Sequence, residues 1–83
     1  MAIDYRALRS LTARELIAAL KRDGFSFVRQ TGSHQRYAHT DGRRVTVAPH
    51  GGADTFSIKT LQTILQKQAR WTEADLRRLR LLL

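Results

Sequence analysis

The chain contains no cysteine. That excludes a disulfide framework, a thiolate metal site and a cysteine nucleophile, and it fits a reducing compartment. Acidic residues are scarce, with 7 Asp and Glu against 15 Lys and Arg, a formal net charge of +8. A surface of that sign attracts polyanions or an acidic protein and says little about fold. Nucleic acid is the first candidate, ahead of an anionic membrane surface. Long apolar runs are also missing. The N-terminus has no hydrophobic segment of the signal-peptide kind, and no stretch approaches the roughly 20 residues of a membrane span. The closing Leu81-Leu82-Leu83 is too short for an anchor. The expectation is a cytoplasmic protein without a membrane partner.

What is present is a globular mixture, 42% hydrophobic and 27% charged, outside the disordered range. The 83 residues allow one domain and a modest core. A domain of this size buries only about 60% of its unfolded surface, so its stability is marginal or partner-assisted. We read residues 1–83 as a single domain, with its core over about 12–69 and a C-terminal helical extension over about 72–83.

Local signals divide the chain clearly. Thr12 and Glu15 have capping-box spacing, Leu11 and Leu16 that of a hydrophobic staple. Ala13, Leu16, Ile17 and Leu20 form one helical stripe, which Gly24 ends. Three short strands are predicted over Phe25 to Gln30, His34 to His39 and Arg43 to Pro49. Gly32-Ser33 turns the first into the second. Thr40-Asp41-Gly42 suits a three-residue hairpin loop. That loop length pairs Tyr37 with Val45 and Gln35 with Val47, bringing the apolar side chains together. His50 to Phe56 reads as a loop, flexible at Gly51-Gly52. Ser57 caps a second helix carrying Ile58, Leu61, Ile64 and Leu65. Thr72 opens a third, with Leu76, Leu79 and Leu83 inward and Arg77, Arg78 and Arg80 outward. The fold class is α+β: a three-stranded antiparallel sheet with two helices on one face, α-β-β-β-α, plus a C-terminal helix.

If Tyr37, Val45 and Val47 face the core, period two sends His34, Arg36, Arg44 and Thr46 to the other face. The hairpin register sets His34 opposite Ala48 and brings His50 one diagonal step away. Phe25, Phe27 and Val28 leave the parity of Arg29 undecided. RNA cleavage needs a base for the 2′-OH proton and an acid for the leaving oxygen. An imidazole, which titrates near 6.5 when unperturbed, can do either. Arginines can hold the phosphate and stabilise its developing charge. RNA supplies its own nucleophile, so the chemistry requires no metal and no cofactor. His34 is thus the candidate catalytic residue and His50 a candidate second proton carrier.

Each of these features also has a plain reading. A lone histidine on a strand is ordinarily a surface residue, and arginines ordinarily face water. His39 falls on the core side and reads as structural. Few carboxylates, Asp41 and Asp54, lie near the histidines in sequence, which argues against a metal cluster.

The stretch Arg29-Gln30-Thr31-Gly32-Ser33-His34 shifts that balance. It resembles the signature of HicA-type, or YcfA-like, mRNA interferase toxins: a helix ending in Gly-aromatic, a strand, then Arg-Gln-x-Gly-Ser-His. Gly24-Phe25 supplies the first part. Asp41-Gly42-Arg43-Arg44-Val45-Thr46-Val47 and Pro49-His50 match the family's third strand, and Leu61-Gln62-Thr63-Ile64-Leu65 its second helix. The resemblance spans about Thr12 to Ala69. It implies a double-stranded-RNA-binding-domain-like fold, cleavage of mRNA, an acidic HicB-type antitoxin, and oligomers only as the toxin–antitoxin complex. It makes His34 the catalytic histidine and Gly32 the turn that presents it. Gly32, Ser33, Arg29, Arg36 and Arg44 form the expected RNA-binding set. The alternatives are a non-catalytic RNA-binding module of the same fold and an adaptor whose basic face docks an acidic protein. A fixed Gly-Ser-His element favours the enzyme over the module, since binding alone does not need an imidazole at one point.

Overall fold

A computed structural model describes residues 3–48 and 51–82. Helix α1 spans Ala13–Arg22 and starts with the expected reciprocal cap. Thr12 Oγ1 accepts from the Glu15 N–H at 3.2 Å, and Glu15 Oε1 accepts from the Thr12 N–H at 3.0 Å. Two further amides of the first turn are satisfied from a distance. Ala13 N–H donates to the Asp54 carbonyl at 2.8 Å and Arg14 N–H to the Gly52 carbonyl at 3.0 Å. These bonds tie the segment after the sheet to the start of α1, so the loop expected to be flexible at Gly52 is anchored there. Gly24 ends the helix at φ 102°, where a Cβ would lie 2.9 Å from His39 Nε2. Both the backbone angle and the lack of space call for glycine.

Strands β1 (Ser26–Thr31), β2 (His34–Ala38) and β3 (Arg44–Val47) form an antiparallel sheet in sequence order. Tyr37 pairs with Val45 and Gln35 with Val47, the register the hairpin loop required. Tyr37, Val45 and Val47 are buried, and they pack with Leu16 and Leu20 of α1. His34, Arg36 and Arg44 are exposed on the opposite face, with Thr46 half-buried beside them. In β1 the register shifts between Phe27, opposite Tyr37, and Arg29, opposite Arg36, leaving Val28 as the bulged residue. The bulge explains why simple alternation could not assign this strand. It puts Phe27 on the core side, its ring edge-on to Tyr37 at 5.7 Å, and Arg29 on the open face.

Helix α2 (Ile58–Gln62) begins at Ser57, whose Oγ accepts from the Thr60 N–H at 3.2 Å. It continues as a π-helical segment over Thr63–Gln68, with Ala69 N–H donating to the Ile64 carbonyl at 2.8 Å. Leu61, Ile64 and Leu65 enter the same core. Helix α3 (Glu73–Arg78) carries a second capping box, Thr72 with Asp75. Leu76 and Leu79 are buried in the common core, as are Tyr5 and Leu8 of a 3₁₀ turn over Tyr5–Leu8 that the sequence did not signal. Leu83, expected to face inward, lies outside the described residues. The α-β-β-β-α order, with α1 and α2 sharing one sheet face, is a double-stranded-RNA-binding-domain-like layout.

Candidate active site

His34 is the first residue of β2, and a two-residue turn puts it there. Thr31 pairs with His34 across Gly32-Ser33. Gly32 has φ 59°, and a Cβ added to it would meet nothing within 4 Å, so its backbone angle rather than a lack of space calls for glycine. Glycine at the first central position is the preference of a type II′ hairpin turn. The Gln30 side chain closes the turn by donating to the Gly32 carbonyl at 2.8 Å. Gly32 and Ser33 are both exposed at its tip.

From this position His34 opens onto a cleft of about 580 Å³. Thr46 and Ala48 of the hairpin form its floor. Residues 54–57 close one end, and the flank of α2 that carries Lys59, Thr60, Thr63 and Gln68 forms the facing wall. The helix lies along the free edge of β3, so the open face is not bare at that margin. The contact is specific, since the Thr46 backbone N–H donates to Gln68 Oε1 at 2.9 Å. An edge strand's outward N–H needs such a partner or water. The wider π turn accommodates an extra residue before the helix ends, a feature that recurs at functional sites.

The three arginines of the expected RNA-binding set come together on the same open face. Arg29 stands opposite Arg36 across β1 and β2, and Arg36 stands opposite Thr46 across β2 and β3. With Arg44 they line a second, smaller depression of about 380 Å³. Like charges placed directly opposite each other destabilise a sheet. A chain that nevertheless stacks them on an uncovered face presents a stripe suited to a polyanion. His34 lies on the same face but at the mouth of the neighbouring cleft.

His39 is half-buried and belongs elsewhere. Its Nε2 meets the Asp23 carbonyl at 2.8 Å and its Nδ1 accepts from the Asp41 N–H at 3.1 Å, while the ring packs edge-on to Phe25 at 5.1 Å. It is a structural histidine, as its parity suggested. Pro49 and His50 lie outside the described residues, so the diagonal placement of His50 has no geometry to report. Among the described residues, no group of three or more acidic or histidine side chains could hold a metal ion. Nor is any helix among them long and apolar enough to cross a membrane.

The model of a known family, the HicA toxin of bacterial toxin–antitoxin systems, matches residues 13–71. The chain belongs to the HicA toxin family. No curated protein matches it. The matched stretch runs from the first residue of α1 through the sheet and α2 to Trp71, and so takes in both depressions of the open face. As a HicA toxin, the chain is one component of a pair and has a cognate antitoxin.

The family's sequence signature pointed to His34, and alternation pointed to Arg36 and Arg44. Neither found the helical wall of the HicA toxin's cleft. Lys59, Thr60 and Thr63 share one flank of an amphipathic helix, and such a polar flank reads from sequence as a solvated face. The apolar spacing of Leu61, Ile64 and Leu65 stays regular in the sequence, so nothing in it signals the π turn that brings Gln68 to β3.

Proposed function

We propose that this HicA toxin is an endoribonuclease that cleaves mRNA by metal-independent general acid–base catalysis through His34. The observation that carries the reading is the exposed His34 at the mouth of a cleft, on the sheet face where Arg29, Arg36 and Arg44 are gathered. In this reaction a base removes the 2′-OH proton and O2′ attacks phosphorus. The O2′–P bond forms, the P–O5′ bond breaks, and an acid returns a proton to the departing 5′ oxygen. The products are a 2′,3′-cyclic phosphate and a 5′-OH. His34 takes one of the two proton transfers, and His50 is the candidate for the other. Gly32 and Ser33 hold the His34 turn against the RNA, and the arginine stripe holds flanking phosphates.

The test is cleavage of a defined RNA by the purified toxin, with growth arrest and RNA integrity followed on induction in cells. His34→Ala is expected to abolish both cleavage and toxicity, with an unchanged circular dichroism spectrum, since an exposed side chain contributes little to stability. Cleavage by the wild type should survive EDTA and leave a cyclic phosphate end. His50→Ala should slow it by about 10²–10⁴-fold. Cleavage that persists in His34→Ala, or that stops on chelation, would overturn the reading. RNA binding without any cleavage by the wild type would favour the non-catalytic module.

A further inference from the structure

The proposed chemistry leaves one requirement unmet by the arginines. As O2′ attacks, negative charge accumulates on the phosphoryl oxygens of the scissile group, and a fixed cation aimed at them is among the largest contributions a site of this kind can make. Arg29, Arg36 and Arg44 line the smaller depression of the sheet face, and none of them lines the cleft into which His34 opens. Among the described residues, the ionisable side chains that line that cleft are His34, Asp54 and Lys59. Lys59 alone among them carries a permanent positive charge.

Its placement follows from the helix. Leu61, Ile64 and Leu65 are buried, so α2 must present Lys59, Thr60 and Thr63 along the flank beside β3. Lys59 sits one turn before Thr63, whose Oγ1 donates back to the Lys59 carbonyl at 3.2 Å. Ser57 caps the helix, and Gln68 pins its far end to Thr46, so the helix that carries the lysine is held at both ends. Among the described residues no carboxylate lies within ion-pair distance of the Lys59 ammonium, in contrast to Arg43, Arg77 and Arg78.

We propose that Lys59 is a second catalytic residue, its ammonium contacting the scissile phosphate across the cleft from His34 and neutralising charge as the cyclic phosphate forms. The proposal rests on the endoribonuclease reading above and divides the positive charge of the face by task. The arginine stripe holds the flanking backbone and sets affinity, whereas Lys59 acts on the reacting phosphate and sets rate. The Thr60 hydroxyl beside it accepts from Ser57 Oγ and so keeps its own proton as a further donor to the same group.

The experiment compares kcat and KM for one short RNA across wild type, His34→Ala, Lys59→Met, Lys59→Arg and Lys67→Met. Lys67 lies in the same helical run outside the cleft lining, so its variant removes the same charge without touching the site. Lys59→Met is expected to lose about 10²–10³-fold in kcat with KM changed only a few-fold. Lys59→Arg should recover part of the loss, and Lys67→Met should match the wild type. Equal kcat in Lys59→Met and wild type, with His34→Ala dead, would overturn the role of Lys59 and leave the reading of His34 standing. A Lys59→Met defect confined to KM, or matched by Lys67→Met, would reduce the lysine to general attraction and also overturn it. Full cleavage by His34→Ala, or none by the wild type, would overturn both.

Discussion

Trp71 Nε1 donates to Asp23 Oδ2 at 2.8 Å, joining the link between the π segment and α3 to the C-terminal cap of α1 across 48 positions of sequence. The same carboxylate accepts from Arg78 of α3 at 2.7 Å and lies 3.2 Å from the Arg43 guanidinium. Arg43 in turn donates to the Ala69 carbonyl at 2.7 Å and sits 5.0 Å above the Phe25 ring. His39 meets the Asp23 backbone carbonyl. One acidic residue therefore ties the end of α1, the β2–β3 hairpin, the end of α2 and α3 together. Its loss leaves the Trp71 indole N–H without its acceptor, while Arg43 keeps Asp41 and Arg78 keeps Asp75.

Asp23→Ala is accordingly expected to destabilise the fold by about 1–3 kcal/mol, the usual cost of leaving hydrogen-bonding partners unsatisfied at a part-buried site. Asp23→Asn keeps one acceptor oxygen and should cost less. Urea unfolding followed by Trp71 fluorescence measures both. A change below about 1 kcal/mol in Asp23→Ala would mean that solvent replaces the carboxylate at little cost.

Acid should expose the same dependence. Burial pulls the Asp23 carboxyl up, but the Trp71 and Arg78 hydrogen bonds and the charges of Arg43 and Arg78 outweigh it, and the group ends below its ordinary value of 3.8. Asp41, held by the Arg43 backbone N–H, and Asp75, held by the Thr72 backbone N–H, are lowered too. A carboxyl depressed in the folded state stabilises fully above its unfolded value, and that stability is lost as pH falls through the folded value. Tm should therefore owe no slope to these groups between about pH 5 and 7 and should fall below about pH 4. In Asp23→Asn the acid fall should be shallower. An equal fall in both proteins would assign the acid sensitivity to other groups.

Much of this architecture was legible because local chemistry and tertiary packing agree. Thr12 and Glu15 mark the start of α1, and Thr40-Asp41-Gly42 sets a register that the alternation of Tyr37, Val45 and Val47 confirms. The bulge at Val28 was not legible, because an extra residue in a strand leaves no mark beyond the broken alternation it causes. The helical wall of the cleft was hidden for another reason. Lys59, Thr60 and Thr63 look solvated until the position of α2 against β3 is known, and that depends on Gln68 reaching Thr46 over 22 positions. The Asp23 centre is likewise long-range: Arg78 faces outward, as its place on the helix predicts, and its pairing with Asp23 is what the sequence does not reveal.

The C-terminal helix should prove part of the fold rather than an appendage. Leu76 is fully buried and Leu79 nearly so, in the same cluster as Leu20 and Phe25. Leu76→Ala is expected to cost about 3 kcal/mol, within the usual range for a buried leucine. For a domain of this length that lowers Tm by roughly 4–8 °C per kcal/mol. Differential scanning calorimetry decides it. A Tm within about 2 °C of wild type would mark α3 as loosely docked.

The arginine stripe predicts a particular response to salt. If Arg29, Arg36 and Arg44 each neutralise one phosphate of single-stranded RNA, their joint replacement by Ala removes three counterion-releasing contacts. The slope of log Kd against log salt should then flatten by about 2. Measurement in the His34→Ala background keeps the RNA intact. Affinity should fall across unrelated sequences alike, because phosphate contacts carry no sequence information. An unchanged slope in the triple variant would move the RNA-binding surface away from this sheet face.

The cognate antitoxin is expected to dock on the same surface. A toxin of net charge +8 attracts an acidic protein, and the open sheet face offers the arginine stripe and the His34 cleft side by side. We expect an acidic HicB-type antitoxin to cover both, so that inhibition is steric rather than a distortion of the fold. Charge attraction acts mainly on encounter, so the association rate should fall steeply between about 50 and 500 mM salt while dissociation changes little. Arg36→Glu should slow association further. His34→Ala should bind the antitoxin within a few-fold of wild type, because the imidazole is one exposed side chain in a broad contact. Titration of a noncleavable RNA, with a 2′-deoxy substitution at the cut site, into the toxin–antitoxin complex then separates occlusion from other modes. Mutual exclusion of RNA and antitoxin fits coverage of the cleft. A stable ternary complex, with RNA bound as tightly as to free toxin, would show that the antitoxin docks elsewhere and acts without blocking His34.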